Sequence, residues 1–138
     1  MEILNNVIKP LSNQGISPYV DIKTWKNYKE YKTLEQRKNE SKMLSSKYPD
    51  KIPLIINECS EEYKYKLKRK MLLPYEMTIG QLMFSIRSKF NINKDEALLI
   101  FVGKTMPRSS TLISELHKQY KDEDGFLYIS ILKESVFG

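Results

Sequence analysis

Residues 66–90, KLKRKMLLPYEMTIGQLMFSIRSKF, change their periodicity once, at a proline. On the N-terminal side, Lys66, Lys68 and Lys70 alternate, and with Lys64 they line one face of an extended chain. Residues 66–73 therefore read as a strand, ended by Pro74. Beyond it, Thr78 and Gln81 have the spacing of a capping box. Ile79, Leu82, Ile86 and Phe90 then recur at helical intervals, which predicts an amphipathic helix over 79–90 facing a core.

Toward the N-terminus, Ile52-Pro53-Leu54-Ile55-Ile56 is a short strand, joined to the strand at 66–73 through a polar connection around Ser60-Glu61-Glu62. Thr33 and Gln36 form a second capping box, so a helix starts near residue 34 and stops at Pro49. Its apolar residues, Leu34, Leu44 and the flanking Tyr48, are sparse, which places it on the surface of the domain. Residues 1–24 hold Pro10, Gly15 and Pro18 among Asn and Ser without periodicity, and read as a mostly irregular extension. Toward the C-terminus, Ala97 to Val102 is an unbroken apolar run, read as a strand buried on both faces and ended by Gly103. Thr111 to Lys121 is a helix with Leu112, Ile113, Leu116 and Tyr120 on one side, and Phe126 to Leu132 is the last strand. Residues 133–138 form a flexible tail, leaving 25–132 as the domain. The order strand, strand, helix, strand, helix, strand fits a sheet covered on one face with its last strand inserted in the middle. That is the β-grasp arrangement, of the α+β class.

With 138 residues, of which 41% are apolar and 29% charged, the chain is expected to form one soluble globular domain. The start, Met1-Glu2-Ile3-Leu4-Asn5-Asn6, lacks the features of a signal peptide, and no apolar run reaches the ~20 residues that span a bilayer. A single cysteine, Cys59, allows no intrachain disulfide and fits a reducing compartment. The net charge of +6 is uneven: residues 1–74 carry 15 Lys and Arg against 9 Asp and Glu, whereas 75–138 carry 8 of each. A basic half implies an acidic partner, and nucleic acid, anionic lipid and acidic peptide all qualify. Tyr63 and Tyr65 beside the lysines would suit nucleic acid, but no recognition motif accompanies them, and none is expected to bind. His117, read as an ordinary surface helix residue, and Cys59 are too few for a metal site, and no nucleophile motif or phosphate-cradling loop suggests an enzyme.

The tail Lys133-Glu134-Ser135-Val136-Phe137-Gly138 ends in a residue that can enter a narrow active site as an acyl donor, or is simply a frayed terminus. Four strings bear on that choice: KYPDKIPLI at 47–55, LLPYEMTIGQL at 72–82, DEALLIFV at 95–102 and YKDEDGFLYI at 120–129. In this order, ahead of an aromatic residue plus glycine, they resemble the ubiquitin-like autophagy modifiers, the family of the GABA-receptor-associated protein and the microtubule-associated light chains. The resemblance covers roughly residues 28–138.

The resemblance implies two additional N-terminal helices on the β-grasp core and conjugation of Gly138 to phosphatidylethanolamine, the lipid being a covalent modification and not a cofactor. It implies activating and conjugating enzymes of the ubiquitin-like type, a delipidating cysteine protease, and a cytoplasmic protein that moves to the autophagosome membrane, or another organelle membrane, once conjugated. Receptors would bring an aromatic residue, any two residues, then Leu, Ile or Val, as a strand added to the sheet edge. An unconjugated receptor-binding module with the same fold is the alternative.

By the same resemblance, Glu40, Leu44, Pro53, Ile55, Lys70, Leu72 and Phe126 match an aromatic pocket. Met71, Leu73, Pro74, Met77, Leu82 and Ser85 match an aliphatic one. Lys51 and Lys68 would meet the acidic flank of the ligand. Filling each pocket would stabilise a complex by about 1.5–3 kcal/mol. Met71 replaces the family's usual aromatic and Ser85 a common leucine, which implies a softer, more open second pocket and an altered motif preference. Tyr19-Val20-Asp21-Ile22 has the form of the motif itself. Either it arises by chance, or it folds back onto its own groove.

Overall fold

The computed structural model describes residues 28–58, 68–89 and 92–135. The extension at 1–24, Trp25, Cys59 and the 59–67 connection lie outside them, as do Phe90, the 19–22 motif and Gly138.

Two helices come first, α1 (Tyr28–Tyr31) and α2 (Leu34–Lys47). The expected capping box is present: the Gln36 N–H donates to Thr33 Oγ1 at 3.1 Å, and the Thr33 N–H donates to Gln36 Oε1 at 2.9 Å. At the far end, the Tyr48 N–H closes onto the Leu44 carbonyl just ahead of Pro49. Strands β1 (Lys51–Glu58) and β2 (Lys68–Pro74) follow, then α3 (Ile79–Lys89), β3 (Glu96–Phe101), α4 (Ile113–Tyr120) and β4 (Leu127–Ser135). Thr78 and Gln81 cap α3 with the same reciprocal pair.

The sheet order is β2-β1-β4-β3. The last strand is inserted in the middle, parallel to β1 from Leu54–Leu127 to Glu58–Ile131, and antiparallel to β3. Pro53 precedes the first β1–β4 pair, so the proline sits where β1 is flanked by β2 alone. This is how an inner strand tolerates a residue without an N–H.

Strand alternation gives the sheet two different faces. Ile52, Leu54, Ile56, Met71, Leu73 and Ile129 share one face, buried with the inner side chains of α3 and α4, among them Ile79, Leu82, Ile86 and Ile113. Pro53, Ile55, Lys70, Leu72 and Tyr128 share the other, where Leu44 of α2 and Tyr28 of α1 pack. The sheet is thus covered on both faces in this region, and the two N-terminal helices supply the second layer.

The expectation of a sheet covered on one face only is thereby corrected, and four further expectations change. The run at 97–102 is not buried on both faces: β3 is an outer strand, with Leu98 and Ile100 buried and Leu99 and Phe101 half-exposed. An apolar run reports burial but not position in the sheet, and the inner strands are β1 and β4. The tail starts later than residue 133, because β4 continues through Ser135 in register with Glu96. Tyr120 is exposed and off the buried side of α4, which is carried by Ile113 and Leu116. Helix α2 is not wholly superficial, since Leu44 is buried together with the polar Arg37 and Ser41.

Candidate receptor-binding face

The matched positions separate onto the two sides of β2. Pro53 opposes Leu72 and Ile55 opposes Lys70 across β1–β2, and all four side chains are buried. Leu44 and Phe126 complete an apolar floor. Over it lies a polar cluster. Lys70 Nζ donates to Glu40 at 2.6 Å (Oε1) and 3.3 Å (Oε2), while the Tyr28 hydroxyl donates to Oε2 at 2.8 Å. The Lys70 ammonium also rests 4.9 Å from the centre of the Tyr28 ring, which stands edge-on to Phe126 at 5.5 Å. Lys70, although it alternates with Lys68 along the strand, is therefore not a solvated lysine; it is only 7% exposed. Burial pulls its ammonium below the ordinary range, and the Glu40 carboxylate offsets that only in part. Lys68 belongs to β2, with its backbone opposite Asn57, and its side chain lies outside the description; Lys51 is half-buried at the start of β1.

On the other side, Met71, Leu73 and Leu82 are fully buried and Met77 nearly so. Met71 therefore does not open the second site, contrary to the expectation drawn from its flexibility. The opening lies along α3, where a concavity of about 720 Å³ is bounded by Pro74, Met77, Gln81, Phe84, Ser85 and Ser109. Ser85, small and buried, leaves room there, and Phe84, 68% exposed, forms an apolar wall.

A third group fixes α1 and α2 onto the sheet. The buried Asp124 carboxylate accepts from Arg37 Nη1 at 2.7 Å, the Tyr128 hydroxyl at 2.6 Å and the Phe126 N–H at 2.8 Å. Burial and the bond to Asp124 hold the Tyr128 phenol well above its ordinary range. The Ser41 hydroxyl donates to the Asp124 carbonyl. Gly125 follows with φ of +93°, a conformation that only glycine adopts freely. His117 is not fully exposed: half-buried at the surface of α4, it donates from Nε2 to the Gly125 carbonyl at 2.9 Å. Nearby, Lys29 donates to Asp122 at 2.6 Å, and although burial alone would raise the Asp122 carboxyl, this bond holds it below its ordinary range.

Tyr28 and Phe84 are the side chains of this face that the sequence reading did not select. Phe84 had a signal: an aromatic off the 79-82-86 stripe of an amphipathic helix. Tyr28 had none, since its partners lie 12 residues away at Glu40 and beyond, at Lys70 and Phe126. Among the described residues, no group of three or more His, Cys, Asp or Glu could hold a metal, and no helix is long and apolar enough to cross a membrane.

An inserted last strand, an outer β2 and two helices on the second face define a ubiquitin-like protein of the β-grasp type. The sequence profile described as "Autophagy protein Atg8 ubiquitin like" matches residues 36–138. The chain belongs to this Atg8 family of ubiquitin-like autophagy proteins, and as a modifier of that kind it is not an enzyme. It is 40% identical to autophagy-related protein 8D of Oryza sativa subsp. japonica over 113 residues, covering 80% of this chain and 96% of that one. Autophagy-related protein 8 of Mycosarcoma maydis is 36% identical over 112 residues, covering 80% and 95%. Among solved structures, Trypanosoma brucei ATG8 superposes with a TM-score of 0.70 at 29% identity, covering 83% of this chain and all of that one. Plasmodium falciparum Atg8, in complex with a Plasmodium falciparum Atg3 peptide, gives 0.67 at 27%, covering 78% and 95%.

Proposed function

We propose that the chain is conjugated through Gly138 to phosphatidylethanolamine and, on the autophagosome membrane, recruits receptors bearing an aromatic-x-x-aliphatic motif. The observation that carries the receptor reading is the position of β2. Among the described residues it is an outer strand of the sheet, with the Glu40–Phe126 cluster on one side and the Pro74–Phe84 concavity on the other. A peptide added to such an edge gains backbone hydrogen bonds and presents alternate side chains to the two sides. The conjugation reading is supported by membership of the family and by a profile match that reaches residue 138. The Plasmodium relative's complex with an Atg3 peptide supports a conjugating enzyme as partner. Activating enzyme, delipidating protease and receptors complete the proposed set.

The test is the mass of the C-terminal peptide from the native cell, beside a Gly138→Ala control. A phosphatidylethanolamine adduct on Gly138, absent from the control, supports conjugation. An unmodified Gly138 on every molecule, starved cells included, leaves an unconjugated receptor-binding module. Failure of every aromatic-x-x-aliphatic peptide to bind would remove the receptor reading.

A further inference from the structure

Glu40 is the acceptor of the first site, and the chain's own donors already engage it. An ionised carboxylate offers about four lone-pair directions. Lys70 reaches both oxygens, and the Tyr28 hydroxyl takes Oε2 as well. Tyr28 is held there firmly: it is 2% exposed, edge-on to Phe126 and beneath the Lys70 ammonium. We propose that Tyr28 is a specificity-determining residue, whose hydroxyl occupies the acceptor that a ring donor on the incoming aromatic side chain would use. The inference rests on the reading above, that this face takes the aromatic residue of a receptor motif.

The consequence follows from what each aromatic side chain brings. Phenylalanine offers a ring and no donor, so it loses nothing where Glu40 is already bonded. The tryptophan indole N–H and the tyrosine hydroxyl find Oε2 already filled by Tyr28 and Lys70 and are left the one remaining direction on Oε1, so they gain less over phenylalanine than an unengaged carboxylate would give. Removing the Tyr28 hydroxyl while keeping its ring leaves Oε2 short of one donor. An incoming donor then satisfies a charged, largely buried acceptor, which is the kind of hydrogen bond that counts most.

The experiment titrates the full chain with three otherwise identical acidic-flanked peptides carrying Trp, Tyr or Phe as the aromatic residue. It is repeated with Tyr28→Phe, Glu40→Ala and the double variant. The wild type should hold the Trp and Phe peptides within about threefold of each other, and Tyr28→Phe should widen the ratio to about tenfold in favour of Trp. With Glu40→Ala, the ratio should be the same with and without the Tyr28 hydroxyl. Because each ratio is taken within one variant, a general loss of folded protein cancels. An unchanged ratio in Tyr28→Phe, with all three peptides binding, overturns this inference alone. No binding of any peptide to the wild type overturns the receptor reading and this inference with it.

Discussion

Gly125 lies so close to Ser41 that a Cβ on the glycine would stand 2.5 Å from Ser41 Oγ and 3.1 Å from Ser41 Cβ. The contact is the seam between α2 and the turn leading into β4. Gly125→Ala should therefore cost about 2–4 kcal/mol, combining a strained positive φ with an overlap. Denaturant unfolding measures it. Ser41→Ala in the same chain removes the nearer atom, so the double variant should be less destabilised than the sum of the singles.

The Arg37–Asp124 pair should be costly to halve. Asp124 is 1% exposed, and Arg37 is the cation bonded to its carboxylate. Arg37→Leu would leave that charge with only the Tyr128 hydroxyl and the Phe126 N–H, and about 3–5 kcal/mol of stability should be lost. Asp124→Asn, which removes the charge and keeps a hydrogen-bonding side chain, should cost less. The same unfolding measurement ranks the two.

Acid should loosen α1 before it unfolds the core. The Asp122 carboxyl is depressed in the folded state, so its contribution is fully present above the unfolded value of about 3.9 and is lost as pH falls through the lower, folded value. Because Lys29 and Asp122 are both partly exposed, the effect is below about 1 kcal/mol and weakens with salt. Amide exchange at 28–32 between pH 5 and 3 should show it, and Asp122→Asn should remove the pH dependence.

Phe84 should matter for binding and not for folding. With 68% of it exposed, Phe84→Ala should change unfolding stability by no more than about 0.5 kcal/mol. Loss of an apolar wall of the concavity should weaken an aromatic-x-x-aliphatic peptide several-fold, by roughly 1 kcal/mol. Calorimetric titration of the variant checks both halves of the statement against the same protein sample.

Local signals carried most of the architecture. Both capping boxes sit where Thr33–Gln36 and Thr78–Gln81 placed them, because each is a bond between residues three apart. The order of strands followed from patterning, and β4 entered the sheet centre as expected. What patterning missed depends on contacts made far along the chain. Leu99 and Phe101 look as buried as Ile55, yet among the described residues β3 has no strand on one side, which only the completed sheet decides. Lys70 looks like one lysine of a stripe, and only the approach of Glu40 and Tyr28 turns it inward. The same holds for the second site: Met71 and Ser85 stood out as departures, but the room comes from Ser85 beside Phe84, and Met71 is filled in behind.

The parallel pairing of β1 with β4 has a consequence for how the protein is made. The two strands are the inner pair of the sheet, yet about seventy residues separate Leu54 from its partner Leu127. Contacts so distant in sequence slow folding, because a long loop must close before they form. A ribosome that has released everything up to α4 has produced a hairpin with one bare inner edge and a β3 with no neighbour. Such a nascent chain is exposed to strand-to-strand association until the last strand, Leu127–Ser135, emerges, and only then can the sheet close.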